Sequence, residues 1–360
     1  MNQKSITKIV ITGGPCAGKS TGMSYLSQKL EEIGYKVIIM SETATEFITS
    51  GCMPGKNISL YDFEEILLKS QLAREAMYIE TAEKVTSKRV VLLFDRGAMD
   101  MKAYLDDASW SDLLEDTGLS SISLRDKRYD AVIHLRTAAL GAEKFYTQEN
   151  NVARLETVEQ ATLADRKTLE AWIGHSHLHV IDNSTDFEHK IKRVLHVVLG
   201  ILGEPVPMEI ERKYLVASTF VYKSIPCAYQ ETNIEQAYLP GGYRIRKRSE
   251  GDVASYTKTH KIDTDNPLVR FEKEERVSAR TYRELMSTKL EGVPTLYKKR
   301  ICFVYMEQYF ELDIFKDKDL IMLEIELTEE QKVVQLPEWL PIIREVTYDT
   351  NFRNEAIAKQ

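Results

Sequence analysis

Cysteine is scarce in this sequence, and long apolar runs are missing from it. Only four cysteines occur in 360 residues, and they form no CxxC pair, so neither a disulfide framework nor a zinc ribbon is indicated. The longest apolar stretch, Val194 to Leu202, is broken by His196 and is too short to span a bilayer. Because the N-terminus also shows no cleavable signal, we predict a cytoplasmic protein without a transmembrane segment.

A large charge excess is missing as well. The 48 basic and 55 acidic residues leave a net charge of -7, which gives no overall attraction to nucleic acid or to an anionic membrane. We therefore predict no specific nucleic-acid partner and expect any basic site to be local. The composition leaves the oligomeric state open.

The chain changes character at a pair of prolines. Up to about residue 203, short apolar runs alternate with helix-patterned stretches, which is typical of a parallel sheet with crossover helices. Pro205 and Pro207 cannot continue a helix, and many short alternating strands follow them. The sequence predicts an α/β domain over residues 1–203, a linker at 204–208 and an antiparallel, eight-stranded β tunnel with one helical interruption (α+β) over 209–360.

A phosphate-binding pattern opens the first domain. The segment from Gly13 to Ser20 matches G-x-x-x-x-G-K-[ST] in full, after an apolar run and before a helical pattern. In such a loop the backbone N–H groups face phosphates, the lysine adds positive charge and the hydroxyl can hold Mg²⁺. This predicts a site for ATP or GTP with Mg²⁺. Its predicted contacts are Gly13, Gly14, Pro15, Cys16, Ala17, Gly18, Lys19, Ser20 and Thr21.

Three further residues are candidates beside this loop. Asp95 ends an apolar strand where a Walker-B aspartate would meet the metal, and Arg96 follows it as a contact to phosphate or acceptor. Glu42 is either a general base for a hydroxyl acceptor or a carboxylate at a helix N-terminus. Catalytic roles are thus expected for Lys19, Asp95 and Glu42.

Two arginines stand where a phosphate-closing lid is expected. Arg154 and Arg166 follow the fourth predicted strand, and exposed helix charges are the alternative interpretation. With the loop and the Asp95-Arg96 pair, this half resembles the P-loop kinase-like domain of the nicotinamide-riboside kinase type. That resemblance implies either a kinase or a nucleotide-operated switch.

Charged residues recur at a spacing of two along the strands of the second domain. Glu209, Glu211 and Lys213 share one face of the first strand, and Arg244 and Arg246 share one face of a later strand. The repetition predicts a barrel with a polar lumen. Clustered arginines and lysines suit a polyanion, while paired carboxylates suit Mg²⁺ or Mn²⁺. Together they predict a site for a metal-bound triphosphate.

This ordered set of charges resembles the CYTH superfamily of triphosphate tunnel metalloenzymes. The resemblance implies that metal-side carboxylates are supplied by Glu209, Glu211, Glu324 and Glu326 with the help of Asp313, and that Glu209 and Glu211 are catalytic. It also implies phosphate contacts, which are Lys213, Arg244, Arg246, Lys258, Lys298 and Arg300. Glu272 and Glu274 complete the expected lumen.

The domain order as a whole resembles the TRPL translocation defect protein family. One interpretation is therefore a two-domain enzyme, in which a P-loop NTPase or kinase accompanies a metal-dependent hydrolase of a nucleoside, thiamine or inorganic triphosphate. The other is a non-catalytic protein whose tunnel holds an anionic phospholipid headgroup or a partner under nucleotide control. The full carboxylate set favours the enzyme.

Overall fold

The computed structural model describes residues 4–142, 157–204, 208–264, 269–327 and 333–360. The chain forms two compact units, Met1–Leu195 and His196–Gln360. Within the described residues, no helix combines the length and the apolar character needed to cross a membrane.

The first unit is built on a five-stranded parallel sheet with the order β2-β3-β1-β4-β5. This confirms the predicted α/β architecture. The strands are β1 (Ser5–Gly13), β2 (Lys36–Met40), β3 (Arg89–Asp95), β4 (Ala131–Leu135) and β5 (Leu178–Ile181). The helices are α1 (Lys19–Glu32), α2 (Thr43–Thr49), α3 (Leu60–Lys84), α4 (Asp107–Thr117), α5 (Ser121–Arg125) and α6 (Val158–Trp172). A further helix, α7 (Phe187–Leu202), begins in the first unit and ends beyond Leu195.

The central strands explain where a ligand meets this sheet. β1 lies between β3 and β4, and nearly all residues of β3 are buried because helices cover both faces of a parallel sheet. Ile11 lies beside Asp95 and Gly13 lies beside Leu135 in the strand register. The ends of three strands therefore bring the loop after Gly13 next to Asp95, at the carboxyl edge where open α/β sheets bind ligands.

The second unit is a closed, eight-stranded antiparallel barrel, as predicted. An additional strand, β14, pairs with β6 beside the short β6–β10 closure. The strands are β6 (Met208–Val216), β7 (Tyr229–Leu239), β8 (Tyr243–Glu250), β9 (Val253–Asp263), β10 (Val269–Arg276), β11 (Leu296–Tyr305), β12 (Gln308–Phe315), β13 (Ile321–Leu327) and β14 (Ile342–Glu345). The helices are α8 (Ala279–Met286) and α9 (Asn354–Lys359).

The barrel wall separates apolar from charged side chains. Outward-facing residues such as Ile301, Phe303 and Leu323 are buried under neighbouring segments that include Trp339 and Leu340. Because side chains alternate along a strand, the opposite face carries the charges. At one end of the lumen, Ile357 of α9 packs on lumen-side apolar residues. The apolar core of this unit therefore lies largely outside the barrel wall and leaves the lumen polar.

Candidate functional sites

The phosphate loop depends on glycine at two positions. Gly13 has φ +136°, and a Cβ there would lie 2.0 Å from the carbonyl oxygen of Leu135. Gly18 has φ +89° and precedes α1 as its N-cap. Both conformations are costly for residues that carry a Cβ. The chain can therefore curl from β1 into α1 only with these glycines, which leaves the start of the helix open to an anion.

The middle of the loop is fixed from outside by its carbonyl oxygens. Cys16 itself has φ +55°, an uncommon conformation for a non-glycine residue. Pro15 and Cys16 are held by the segment after β4, and Ala17 is held by α7. The donors to these three carbonyls are Thr137 Oγ1, Ala138 N and Lys190 Nζ, respectively. With these carbonyls engaged, the loop offers its N–H groups to a ligand.

Lys19 bends back onto the loop. Its Nζ donates to the carbonyl oxygens of Gly13 and Gly14, each at 3.1 Å. Burial and the neighbouring charge of Arg96 lower the pKa of Lys19. A phosphate would exchange two neutral acceptors for a charged one, which makes a stronger hydrogen bond.

Asp95 and Ser20 supply oxygens that fit Mg²⁺. The buried Asp95 Oδ1 atom has no hydrogen-bond partner within the described residues. Burial raises the pKa of Asp95 to about 6, although the charge of Lys19 opposes this shift. Ser20 and Thr21 lie in the first turn of α1 and have exposed side chains. Carboxylate and hydroxyl oxygens are ligands that Mg²⁺ accepts, so the donor set fits the predicted metal.

Glu42 forms an ion pair with Arg96. It occupies the N-cap position of α2, accepts a hydrogen bond from Arg96 Nε and accepts a second from Thr45 Oγ1 at 2.7 Å. Burial opposes ionisation of Glu42, but the charges of Arg96 and Lys19 outweigh it and lower its pKa to about 2. Arg96 has φ +68° and also lies 3.5 Å from Asp100. This geometry favours Glu42 as a carboxylate that holds Arg96 in a strained conformation beside Lys19.

Asp165 was not found by sequence reasoning, yet it holds the loop together. This fully buried α6 residue accepts from Gly14 N at 2.9 Å, Thr137 N at 3.0 Å and Arg136 Nη1 at 2.6 Å. Burial raises its pKa, but hydrogen bonding to His134 and the other donors lowers it to about 2. A charged residue in a helix gives no sequence signal of such a contact.

Of the two predicted lid arginines, the structure describes Arg166. The neighbouring Arg166 has a side chain that is 64% exposed and lies 3.8 Å from Glu170 of the same helix. Its position agrees with the alternative interpretation, a charge on a solvent-facing helix surface. Arg154 lies outside the described residues.

Glu64 is a second buried acid near Arg96. It is 3% exposed, and its Oε2 atom has no hydrogen-bond partner within the described part of the chain. Burial raises the pKa of Glu64 to about 8, although Arg96 opposes the shift. The folded protein therefore binds this proton more tightly than the unfolded chain, whose glutamate pKa is about 4.3.

This difference predicts a pH-dependent stability. The contribution of protonated Glu64 is fully present below about pH 4 and is lost as the pH rises towards 8. We expect Glu64→Gln to remove this loss, so that its stability relative to wild type increases by about 1 kcal/mol per pH unit between pH 5 and 8. Urea unfolding of the full chain at several pH values measures this. The exposed Glu80→Gln change on the same helix is the control; an equal slope in both variants would contradict the prediction.

The barrel lumen contains a central group of ion pairs. Lys213 Nζ lies 2.8 Å from Glu211 and 2.7 Å from Glu324. Arg300 Nη2 lies 2.8 Å from Glu324 and 2.6 Å from Asp313. Burial opposes ionisation of Glu324, but the charges of Lys213, Lys298 and Arg300 hold its pKa well below its usual range. The basic residues therefore keep the carboxylate of Glu324 ionised within the barrel lumen.

Lys298 belongs to the same group, but its pKa is lowered, whereas that of Lys213 is raised. The side chain of Lys298 is fully buried and bonds to Asp313 and, at 3.3 Å, to Asn354 Oδ1. Burial lowers the pKa of Lys298 to about 8, although Asp313 opposes the shift.

A second group of ion pairs lies across β6, β8, β9 and β10. Lys261 Nζ lies 2.7 Å from Glu209 and also contacts Glu272, while Arg244 lies 3.5 Å from Glu272 and 3.7 Å from Glu274. Burial and the neighbouring Glu272 raise the pKa of Glu209. Two carboxyl groups thus share one lysine, and a second cation would relieve their repulsion.

Two residues that were expected in the tunnel, Lys258 and Glu326, do not lie among the buried charges of the lumen. Lys258 pairs with Ile245 in the sheet, lies over the Tyr243 ring at 4.3 Å and is 3.6 Å from Glu275. It therefore faces away from Arg244, and Lys261 occupies the lumen side of β9 instead. Glu326 shares the face of Glu324 but is exposed near the end of β13.

Arg246 has little negative charge to balance it. Burial and the neighbouring Arg244 and Arg300 lower its pKa to about 10, although the charge of Glu274 opposes this shift. Within the described residues, its guanidinium donates a 3.3 Å hydrogen bond to Gln236 Oε1. An anion beside Arg246 would stabilise its charged form.

The fit of the lumen to a divalent metal rests on its oxygen donors. In the described chain, no three His, Cys, Asp or Glu residues are grouped closely enough to form a ready metal site. The lumen carboxylates instead contact lysines and arginines. They are nevertheless the ligands that Mg²⁺ and Mn²⁺ prefer, so the residue types fit once an anion draws the basic groups away.

Comparisons with known proteins give one family and two similar structures. Two crystal structures of a protein named NE1496, one described as a hypothetical protein and one as an inorganic triphosphatase, match with 28% and 27% identity. They cover 42% of this chain and 98% and 95% of their own chains, with TM-scores of 0.30 and 0.29. No curated protein matches. An AAA-domain family model matches residues 8–190, just over half of the 360 residues, and the chain therefore belongs to that family.

Proposed function

We propose that the protein is a two-domain phosphate enzyme. Its first unit is a Mg²⁺-dependent ATP- or GTP-binding NTPase or kinase, and its barrel is a metal-dependent hydrolase of a nucleoside, thiamine or inorganic triphosphate. The observation that carries the proposal is the lumen in which Lys213 and Arg300 both contact the buried Glu324. The sequence resemblance to triphosphate tunnel enzymes supports the same assignment.

Exchange of partners explains how the lumen would accept a triphosphate. The carboxylates now occupy the fork of Arg300 and the ammonium of Lys213, which are the groups that pair best with phosphate oxygens. A triphosphate that takes over these cations frees the carboxylates of Glu211, Asp313 and Glu324. A divalent ion held there would supply charge neutralisation and an activated water for phosphoanhydride cleavage.

The residues of this chain have separate parts in that reaction. The anion is bound and oriented from β8 and β9 by Arg244, Arg246 and Lys261. This side of the barrel includes Arg246, whose positive charge has few negative charges near it. Glu209 and Glu211 would hold the metal side of the site together with Asp313 and Glu324. Burial excludes bulk water from the lumen, which strengthens each of these interactions.

In the first unit, Lys19 and the loop N–H groups bind the phosphates of the nucleotide, while Ser20 and Asp95 hold Mg²⁺. Glu42 keeps Arg96 beside this point, where it can stabilise the charge that develops on a transferred phosphoryl group. Asp165 fixes the first turn of the loop through Gly14 N. These roles are shared by NTPases and kinases.

A non-catalytic alternative has one observation in its favour. The carboxylates of the lumen are engaged by basic residues, whereas Arg246 is poorly compensated. An anionic phospholipid headgroup could bind Arg246 without any metal. Nucleotide on the first unit would then control the binding of the headgroup or of a partner.

Phosphate release from the full chain separates the two functions. The substrates are ATP, GTP, tripolyphosphate and thiamine triphosphate, each with Mg²⁺, with Mn²⁺ and with EDTA. We expect metal-dependent turnover of tripolyphosphate or thiamine triphosphate, because the lumen has both ligand classes, whereas turnover of ATP or GTP alone would fit the first unit equally well. A folded protein that releases no phosphate from any of them, and instead binds vesicles containing phosphatidic acid or phosphoinositide, would refute the hydrolase.

A further inference from the structure

An exposed aromatic ring lies directly on the phosphate loop. Phe187, the first residue of α7, is 48% exposed. A Cβ built on Gly18 would lie 2.5 Å from the edge of this ring. Because Gly18 has no side chain, the ring packs directly against it. Gly18 is the neighbour of Lys19 in the chain. The ring is within the length of a nucleotide whose phosphates contact Lys19.

Hydrogen bonds tie the segment that carries Phe187 to the phosphate loop. Lys190, one turn along α7, donates to Ala17 O at 3.1 Å, Arg136 O at 2.7 Å and Asn183 Oδ1 at 2.7 Å. Asn183 in turn donates to the carbonyl oxygens of the segment after β4 at 2.7 and 2.6 Å. The segment 182–187 is therefore tied to the phosphate loop before any ligand binds, which lowers the entropy cost of using the ring as a contact.

The carboxylates of this segment are already engaged. Asp182 accepts from Ser184 N at 3.0 Å and from Arg193 Nη1 at 2.8 Å. Asp186 accepts from His189 N at 2.9 Å and contacts its Nδ1 at 2.8 Å. A base that reaches the segment therefore meets the face of Phe187 and not an unengaged carboxylate that could read its edge.

We propose that Phe187 is the stacking platform for the nucleobase of the bound nucleotide, and that this platform accepts adenine and guanine about equally. The inference rests on the proposed nucleotide site of the first unit. Stacking of a base on an aromatic side chain is sequence-tolerant because every base has a π-face. Removal of the ring is expected to weaken nucleotide binding about 5- to 150-fold.

Calorimetry on the full chain with Mg²⁺ tests this through ADP, GDP and pyrophosphate. Phe187→Leu keeps an apolar side chain on Gly18, and it should weaken ADP and GDP to a similar extent while pyrophosphate affinity stays within about twofold of wild type. Phe187→Trp should retain both affinities, and its fluorescence should be quenched by either nucleotide. Asp186→Asn, the control on the same segment, should leave all three affinities unchanged.

The contrary outcomes are distinct. If Lys19→Ala weakens ADP and GDP but Phe187→Leu does not, the platform is wrong and the nucleotide site stands. If neither Lys19→Ala nor Phe187→Leu changes nucleotide affinity, the proposed nucleotide site itself is wrong. If Asp186→Asn weakens GDP alone, a carboxylate reads guanine and the claim of equal acceptance fails.

Discussion

Glu324→Gln is expected to lower metal-dependent tripolyphosphate hydrolysis by about 100- to 1,000-fold. The substitution keeps the shape of a buried side chain but removes the negative charge that contacts Lys213 at 2.7 Å and Arg300 at 2.8 Å. Lys213 remains paired with Glu211 and Arg300 with Asp313, so the barrel should still fold. Steady-state phosphate release over a range of Mn²⁺ and Mg²⁺ concentrations measures the loss.

The matched control is Glu345→Gln. Glu345 lies on β14, and its carboxylate is 3.6 Å from Arg212 on the outward face of β6. Its loss should leave turnover within about twofold of wild type, as expected for a weak surface ion pair. Wild-type turnover by a Glu324→Gln protein with an unchanged melting temperature would mean that Glu324 does not serve the reaction.

Local patterns predicted the fold because both units obey local rules. The segment from Gly13 to Ser20 has glycines at the positions where its turn needs them. The structure shows φ values at Gly13 and Gly18 that favour glycine. The barrel was predictable because a strand with one polar and one apolar face must alternate with period two. Strand β14 was missed, since four residues with three exposed side chains carry no such pattern.

The burial of a side chain and the identity of its contact partner depend on residues that are distant in the sequence. Periodicity places Glu326 on the same face as Glu324, yet only the position along the barrel makes one exposed and the other buried. The assignment of Lys258 depended on the resemblance, while the register that pairs Arg244 with Thr259 puts Lys261 in the lumen. Asp165 meets Gly14 across 151 residues, so no spacing in the sequence predicts that contact.

Lys19→Ala is expected to weaken nucleoside triphosphate binding to the first unit by about 100-fold or more, while tripolyphosphate turnover in the barrel persists. The change removes the ammonium that bonds to Gly13 O and Gly14 O, but it leaves the glycine conformations that shape the loop intact. A charge-assisted hydrogen bond to phosphate is worth roughly 1.5–3 kcal/mol, and loss of the favourable field near the β and γ phosphates adds to that. Calorimetry with ATP and GTP in Mg²⁺ measures the affinity.

Lys29→Ala on the same helix is the control for this prediction. Lys29 is partly exposed and pairs with Glu32 at 2.9 Å, so its removal deletes a lysine from α1 without touching the loop. Equal nucleotide affinities for the two folded variants would show that the loop does not bind nucleotide through Lys19. If Lys19→Ala instead stops tripolyphosphate turnover together with nucleotide binding, then a single site serves both, and the division of chemistry between the two units is wrong. Retained turnover with lost nucleotide affinity is the result that the separate sets of contacts require, because none of the lumen ion pairs among the described residues includes Lys19.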